Sequence, residues 1–294
     1  MKRAMILLSI LCVSIGLYGQ NNWRRQSRVE TRTINSKVLN ADRDYNIFIP
    51  LSYDQEPNRK YPILYLLHGV MDTNLGWFER GRVKDVMDQL VASGEAHEMI
   101  IVTPNAGGNI SEGAWNGYFD MPGWKYETFF FTELIPHIES TFRVIGNKEN
   151  RAIAGLSMGG GGATVYGQKY PELFSSVYAM SALMSIPQQG AMQSQNPDDK
   201  MAILNKSVQD NCAIGFIKNS NEEQVNKLRS VNWFVDCGDD DFILDRNIEF
   251  NQAMREKGIR HEFRVRDGGH TWEYWHAALY TCLPYVSRNF KMNK

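Results

Sequence analysis

Cysteine is scarce in this 294-residue chain, with four residues at positions 12, 212, 237 and 282. No CxxC, no HExxH and no paired His/Cys spacing occurs, so neither a zinc framework nor any other metal or cofactor site is expected. An excess of charge is missing too. Thirty-two basic residues face 33 acidic ones, a net charge of -1, which leaves nothing to hold nucleic acid or an anionic lipid surface by electrostatics. There is no internal repeat, no low-complexity tract and no heptad pattern, which removes solenoids, linkers and coiled coils. What remains is 43% hydrophobic and 22% charged, the composition of a globular domain with a sizeable core.

Long apolar runs are also few. The stretch from Ala4 to Leu17 follows a basic tip (Lys2, Arg3) and precedes small Gly19 and polar Gln20. It is short for a membrane span, and its layout is that of a secretory signal cut after Gly19. The competing reading is an uncleaved anchor; a lipoprotein is disfavoured because Leu11, not a small residue, precedes Cys12. The expected mature chain is therefore exported, either to a periplasm or outside the cell. It is expected to be one domain over residues 20–294, with no membrane span. Three cysteines would remain, an odd number that permits at most one internal disulfide. Cys237, at the end of the apolar run "VNWFVDC", reads as a buried thiol.

Two alternating segments, "RVETRTINSKVL" and "DYNIFIPL", read as an antiparallel pair. After them, continuous apolar runs alternate with helical patterns: "YPILYLLHG", "EMIIVTPN", "RAIAGL", "FSSVYAMSAL", "VNWFVDCG" and "RHEFRVRDG" as strands. This alternation implies an α/β fold with a mainly parallel sheet covered on both faces. Ligands of such sheets bind at the carboxyl ends of the strands. The polar stretch 185–230 is expected to lie outside the sheet as a small lid.

One strand end is unusual. "RAIAGLSMGGGGATVYG" sets Ser157 between glycines where a buried strand meets a helix. A strand that turns straight into a helix through a strained residue leaves no space for neighbouring side chains, and it lifts the serine hydroxyl above the sheet. A phosphate-holding βα turn is the alternative. A serine needs a base, and an imidazole serves best when a carboxylate fixes its tautomer. Later strand ends supply "CGDDDF" and "DGGHTW", so Asp and then His270 follow Ser157 in the chain order of α/β-hydrolases. Asp239, Asp240 and Asp241 are contiguous, and Asp241 could instead cap the next helix. An oxyanion hole would draw on the backbone N–H groups of Met158 and Val70, with His68 shaping the second loop.

In this order, "YPILYLLHG", "KYETFFFTELIPHIE", "RAIAGLSMGG", "CGDDDF" and "GGHTWEYW" resemble the esterase D family of α/β-hydrolases. Its branch of feruloyl esterases in carbohydrate esterase family one is the most similar. The likeness runs from about Val38 to Phe290. It implies a metal-free Ser-Asp-His mechanism with Ser157 as nucleophile, His270 as base and Asp241 as acid. Because all three loop positions are aspartate, Asp239 stays in contention.

Formylglutathione hydrolases, mycolyltransferases and siderophore esterases share that family, so the fold does not fix the ester. A secretory signal argues against a cytosolic thioester and ranks feruloyl-polysaccharide esters first. Siderophore or acetyl esters come next, followed by a non-catalytic carbohydrate-binding protein. The loop Ala106–Lys125 carries Trp115, Tyr118, Phe119 and Trp124. Trp115, Tyr118 and Trp124 are the residues expected to stack on the acyl ring or on sugar.

Overall fold

The computed structural model describes residues 26–186 and 196–291. The segment read above as a secretory signal, with Cys12, lies outside them. Eight strands form one sheet in the order β1-β2-β4-β3-β7-β8-β9-β10. These are β1 (Arg28–Ser36), β2 (Ala41–Ile49), β3 (Ile63–Leu67), β4 (Ile100–Pro104), β7 (Arg151–Leu156), β8 (Ser176–Met180), β9 (Asn232–Gly238) and β10 (Glu262–Arg266). β5 (Asp120–Met121) and β6 (Trp124–Lys125) make a separate two-stranded ribbon. The pairs β1–β2 and β2–β4 are antiparallel, and every other pairing in the large sheet is parallel. With helices on both faces, this is the α/β-hydrolase architecture.

Period-two alternation sorts the strand side chains onto the two faces. Ile63, Tyr65 and Leu67 join one core cluster, while Leu64 and Leu66 join the other. The second face is covered by α1 (Val83–Ser93) and by the C-terminal helix, labelled α8 below (Trp272–Asn289), through Val86, Met87, Leu279 and Leu283. On the first face lie α2 (Ile135–Thr141), α3 (Met158–Lys169) and α7 (Leu244–Glu256).

Between β8 and β9 the described part of 185–230 forms α4 (Lys200–Asp210), α5 (Ala213–Asn219) and α6 (Glu222–Leu228). Their apolar faces (Leu204, Val208, Ile214, Ile217, Val225) join the first-face core. Asp199 and Asn221 cap the starts of α4 and α6. Cys212, Cys237 and Cys282 are all free thiols, the last two buried.

Candidate active site

Ser157 sits between β7 and α3 at φ 52°, ψ -120°, a region costly for any residue with a Cβ. Its surroundings hold it there. The Ser157 N–H donates to the Met180 carbonyl at 2.9 Å, and its own carbonyl accepts from Gly161 at 3.0 Å and Leu183 at 2.9 Å. The flanking glycines are forced by close approach. A Cβ on Gly155 would come within 2.4 Å of the Gly159 carbonyl oxygen, and one on Gly159 within 2.5 Å of the His68 oxygen. α3 thus begins pressed against the loop leaving β3.

The Ser157 Oγ lies 2.9 Å from His270 Nε2, and His270 Nδ1 lies 2.9 and 3.0 Å from the two carboxylate oxygens of Asp241. Three strand ends therefore deliver one hydrogen-bonded line. The Asp241 side chain is fully buried and that of His270 is 19% exposed. Burial would raise the Asp241 pKa, but the hydrogen bond and charge of His270 outweigh it and hold the carboxyl below its ordinary value. Asp241 also accepts from the Ile243 N–H at 3.1 Å, just ahead of α7. One carboxylate thus serves both the imidazole and the helix entry.

Asp239 faces elsewhere. Its carboxylate accepts from the Gly268 N–H at 2.9 Å and ties the two loops together. Asp239, Asp240 and Asp267 offer carboxylate oxygens within 4.8 Å of one another, but all three residues are exposed.

The loop after β3 is built on buried His68. The Ala106 N–H must donate to Nε2 (2.9 Å), so Nδ1 carries the proton and donates to the Gly69 carbonyl (2.8 Å). Burial depresses the His68 pKa against the pull of that carbonyl bond. This imidazole is a neutral brace. A Cβ on Gly69 would stand 3.6 Å from the Ser157 Cβ, so the chain at Gly69, one residue before Val70, passes beside Ser157. Met158, the first residue of α3, has an N–H with no partner inside its own helix. The Trp77 Nε1–H donates to the Leu67 carbonyl at 3.0 Å, and its ring meets Trp272 edge-on.

The aromatic loop departs from expectation. Tyr118 is 1% exposed and its hydroxyl donates to the His68 carbonyl at 3.0 Å; Trp124 is 5% exposed, stacked on Tyr126, and its Nε1–H donates to Gly117. Neither presents an open face for a ligand. These rings belong to the first-face core, and Phe119 is buried with them against Tyr166 of α3. Trp115 is half-buried, with the Lys200 ammonium 4.8 Å over its ring. The open aromatic at the site is one that sequence reasoning passed over. Phe242 is 58% exposed, and its ring centroid lies 4.7 Å from that of His270. A large apolar residue directly after an aspartate turn was the available signal.

Residues 36–286 match the family described as "Putative esterase". A solved structure of a ferulic acid esterase superposes with a TM-score of 0.90 at 64% identity, covering 91% of this chain and all of that one. An endo-1,4-beta-xylanase/feruloyl esterase of Xylanibacter ruminicola is 30% identical over 58% of this chain and 25% of its own length. An esterase of Mycobacterium tuberculosis is 26% identical over 77% of this chain and 52% of its own. The chain spans between a quarter and about half of these two curated relatives.

Proposed function

We propose that this chain, which belongs to the esterase family and is a serine carboxylesterase, releases hydroxycinnamic acids from plant polysaccharide. The proposed nucleophile is Ser157, the base His270 and the orienting acid Asp241. The observation that carries this reading is the unbroken line from Ser157 Oγ through His270 to buried Asp241. In the first step Oγ attacks the ester carbonyl carbon while Nε2 takes its proton. The negative charge that develops on the carbonyl oxygen is met by the N–H groups of Val70 and Met158. Collapse expels the sugar hydroxyl, which takes the proton from Nε2 and leaves the acyl group on Ser157. Water then attacks that acyl-enzyme, again giving its proton to Nε2, and the acid departs as Ser157 regains its hydrogen.

Identity of 64% to a ferulic acid esterase over nearly the whole chain supports the hydroxycinnamoyl acyl group, and exposed Phe242 offers apolar ring surface beside the imidazole. The basic tip and apolar run at the N-terminus support export. α4–α6 support a single domain with a cap, since Lys200 reaches the ring of Trp115 and the carbonyl of Gly113.

Hydrolysis of methyl ferulate, p-nitrophenyl acetate and an enterobactin-like trilactone by wild type and Ser157→Ala tests the proposal. Ferulate release that Ser157→Ala abolishes is the expected result. Wild-type cleavage of acetate alone would make the chain an acetyl esterase, and cleavage of the trilactone alone a siderophore esterase. Failure on all three would favour a carbohydrate-binding role.

A further inference from the structure

A carboxylate sits where the reaction just described has no use for one. Asp236, on β9, is fully buried with the second-face cluster around it, an expensive place for a charge unless it is amply bonded. Its partners are specific. The Tyr178 hydroxyl donates from β8 at 2.6 Å. The Tyr274 hydroxyl donates from the first turn of α8. Arg266, at the end of β10, donates through Nε at 3.3 Å and Nη2 at 3.2 Å. Burial, reinforced by the Asp236 charge, keeps both phenols protonated, so each can only donate here.

Two of these partners bracket His270 in the chain, Arg266 four residues before it and Tyr274 four after. They also touch each other, with the guanidinium 4.3 Å over the Tyr274 ring. Between them Gly268 adopts φ 128°, and a Cβ there would come within 2.9 Å of that ring. The segment 266–274 is therefore a loop closed at its base on one carboxylate, with His270 at its middle. Asp241 follows Asp236 along the same strand end, so one short stretch of chain holds the imidazole directly and also anchors its loop.

We propose that Asp236 is a positioning residue, fixing both ends of the His270 loop and thereby the approach of Nε2 to Ser157. The inference rests on the Ser157–His270–Asp241 reading above. A shift of about 1 Å in a reacting group costs on the order of a hundredfold, so a loosened base should be felt in turnover.

The test is steady-state hydrolysis of p-nitrophenyl acetate at a temperature well below each variant's unfolding midpoint. Tyr274→Phe keeps the ring on which Gly268 and Arg266 pack and removes one bond to the carboxylate. It is expected to lower kcat about tenfold, and Asp236→Asn about ten- to a hundredfold, with KM changed less than about twofold. The double variant should be no worse than Asp236→Asn, because both changes break the same clamp. Tyr178→Phe removes a bond to the same carboxylate from outside the His270 loop. It should lower the unfolding midpoint while leaving kcat within about twofold. An unchanged kcat in Tyr274→Phe, or an equal fall in Tyr178→Phe, would overturn the positioning role. If Asp236→Asn does not fold, the two tyrosine variants decide between these outcomes. Ser157→Ala run alongside separates the two failures. If it is inactive while Tyr274→Phe is unimpaired, only the clamp is wrong; if it retains activity, the relay reading falls and the clamp with it.

Discussion

Ser157 holds a positive-φ backbone conformation that a serine adopts only under constraint, and its hydroxyl points at an imidazole whose far side is locked to a carboxylate. Residues joined this way act as a unit. Ser157→Ala and His270→Ala are each expected to lose at least about a thousandfold in turnover, with the double variant little worse than either. Asp241→Asn should also fall by orders of magnitude, since an amide favours the wrong tautomer. Asp239→Asn should be mild, because that carboxylate bonds a backbone N–H. If Asp239→Asn proves the damaging change, the roles are reversed. The choice among the three aspartates was beyond spacing, because contiguous turn residues differ only in where their side chains point. Asp241 also carries a pH signature. Its folded pKa lies below the ordinary 3.8, so its contribution to stability is present above about pH 4 and is lost as pH falls through the folded value. Urea unfolding of wild type and Asp241→Asn should show a gap that is constant near neutrality and closes in stronger acid.

At the scale of elements, α3 is a poor helix former by propensity, with glycine at 159, 160, 161 and 162. A glycine-to-alanine change in an exposed helix ordinarily gains about 1 kcal/mol. Here the sign should reverse. A Cβ on Gly159 meets the carbonyl oxygens of His68 and Leu67 at 2.5 and 2.6 Å, and one on Gly161 meets the Leu183 oxygen at 2.2 Å. Those atoms are backbone at or just beyond the ends of β3 and β8, so they cannot yield cheaply. Gly159→Ala should therefore destabilise by about 1–3 kcal/mol, read as a lower denaturant midpoint, and should displace the loop that carries Val70. A neutral or raised midpoint would show that the elbow has slack. The elbow could be read from sequence because close backbone approach admits only glycine. The aromatic loop before it could not be read in the same way. Tyr118 and Trp124 have the composition of a ligand platform, yet they spend their polar atoms on the carbonyls of His68 and Gly117. Composition does not say which side of a loop its rings occupy.

Across the whole molecule, alternating strand and helix patterns announced a parallel sheet, and the first two segments an antiparallel pair. The strand order was not legible, because it depends on which edge each crossover takes rather than on any local signal. That order sets β3, β7, β8, β9 and β10 side by side, so their carboxyl ends make one continuous rim. Phe242 stands on this rim with most of its surface open, while Trp115 is engaged by Lys200. The difference yields a test of substrate choice. An aromatic contact contributes about 0.5–1.5 kcal/mol beyond area burial, so losing one costs roughly tenfold in specificity at most. If the open ring of Phe242 meets the hydroxycinnamoyl ester, Phe242→Ala should lower kcat/KM for methyl ferulate by up to about tenfold while p-nitrophenyl acetate is nearly unchanged. Trp124→Ala should instead depress both esters together and lower the unfolding midpoint, because a large buried side chain is removed at a cost of about 3–5 kcal/mol. Trp115→Ala distinguishes two geometries. A selective loss on ferulate would place the acyl ring under the Ala106–Lys125 loop, and an equal loss on both esters would make Trp115 a strut between that loop and α4. Equal losses in Phe242→Ala would remove the exposed ring from substrate recognition and leave it a cover for His270.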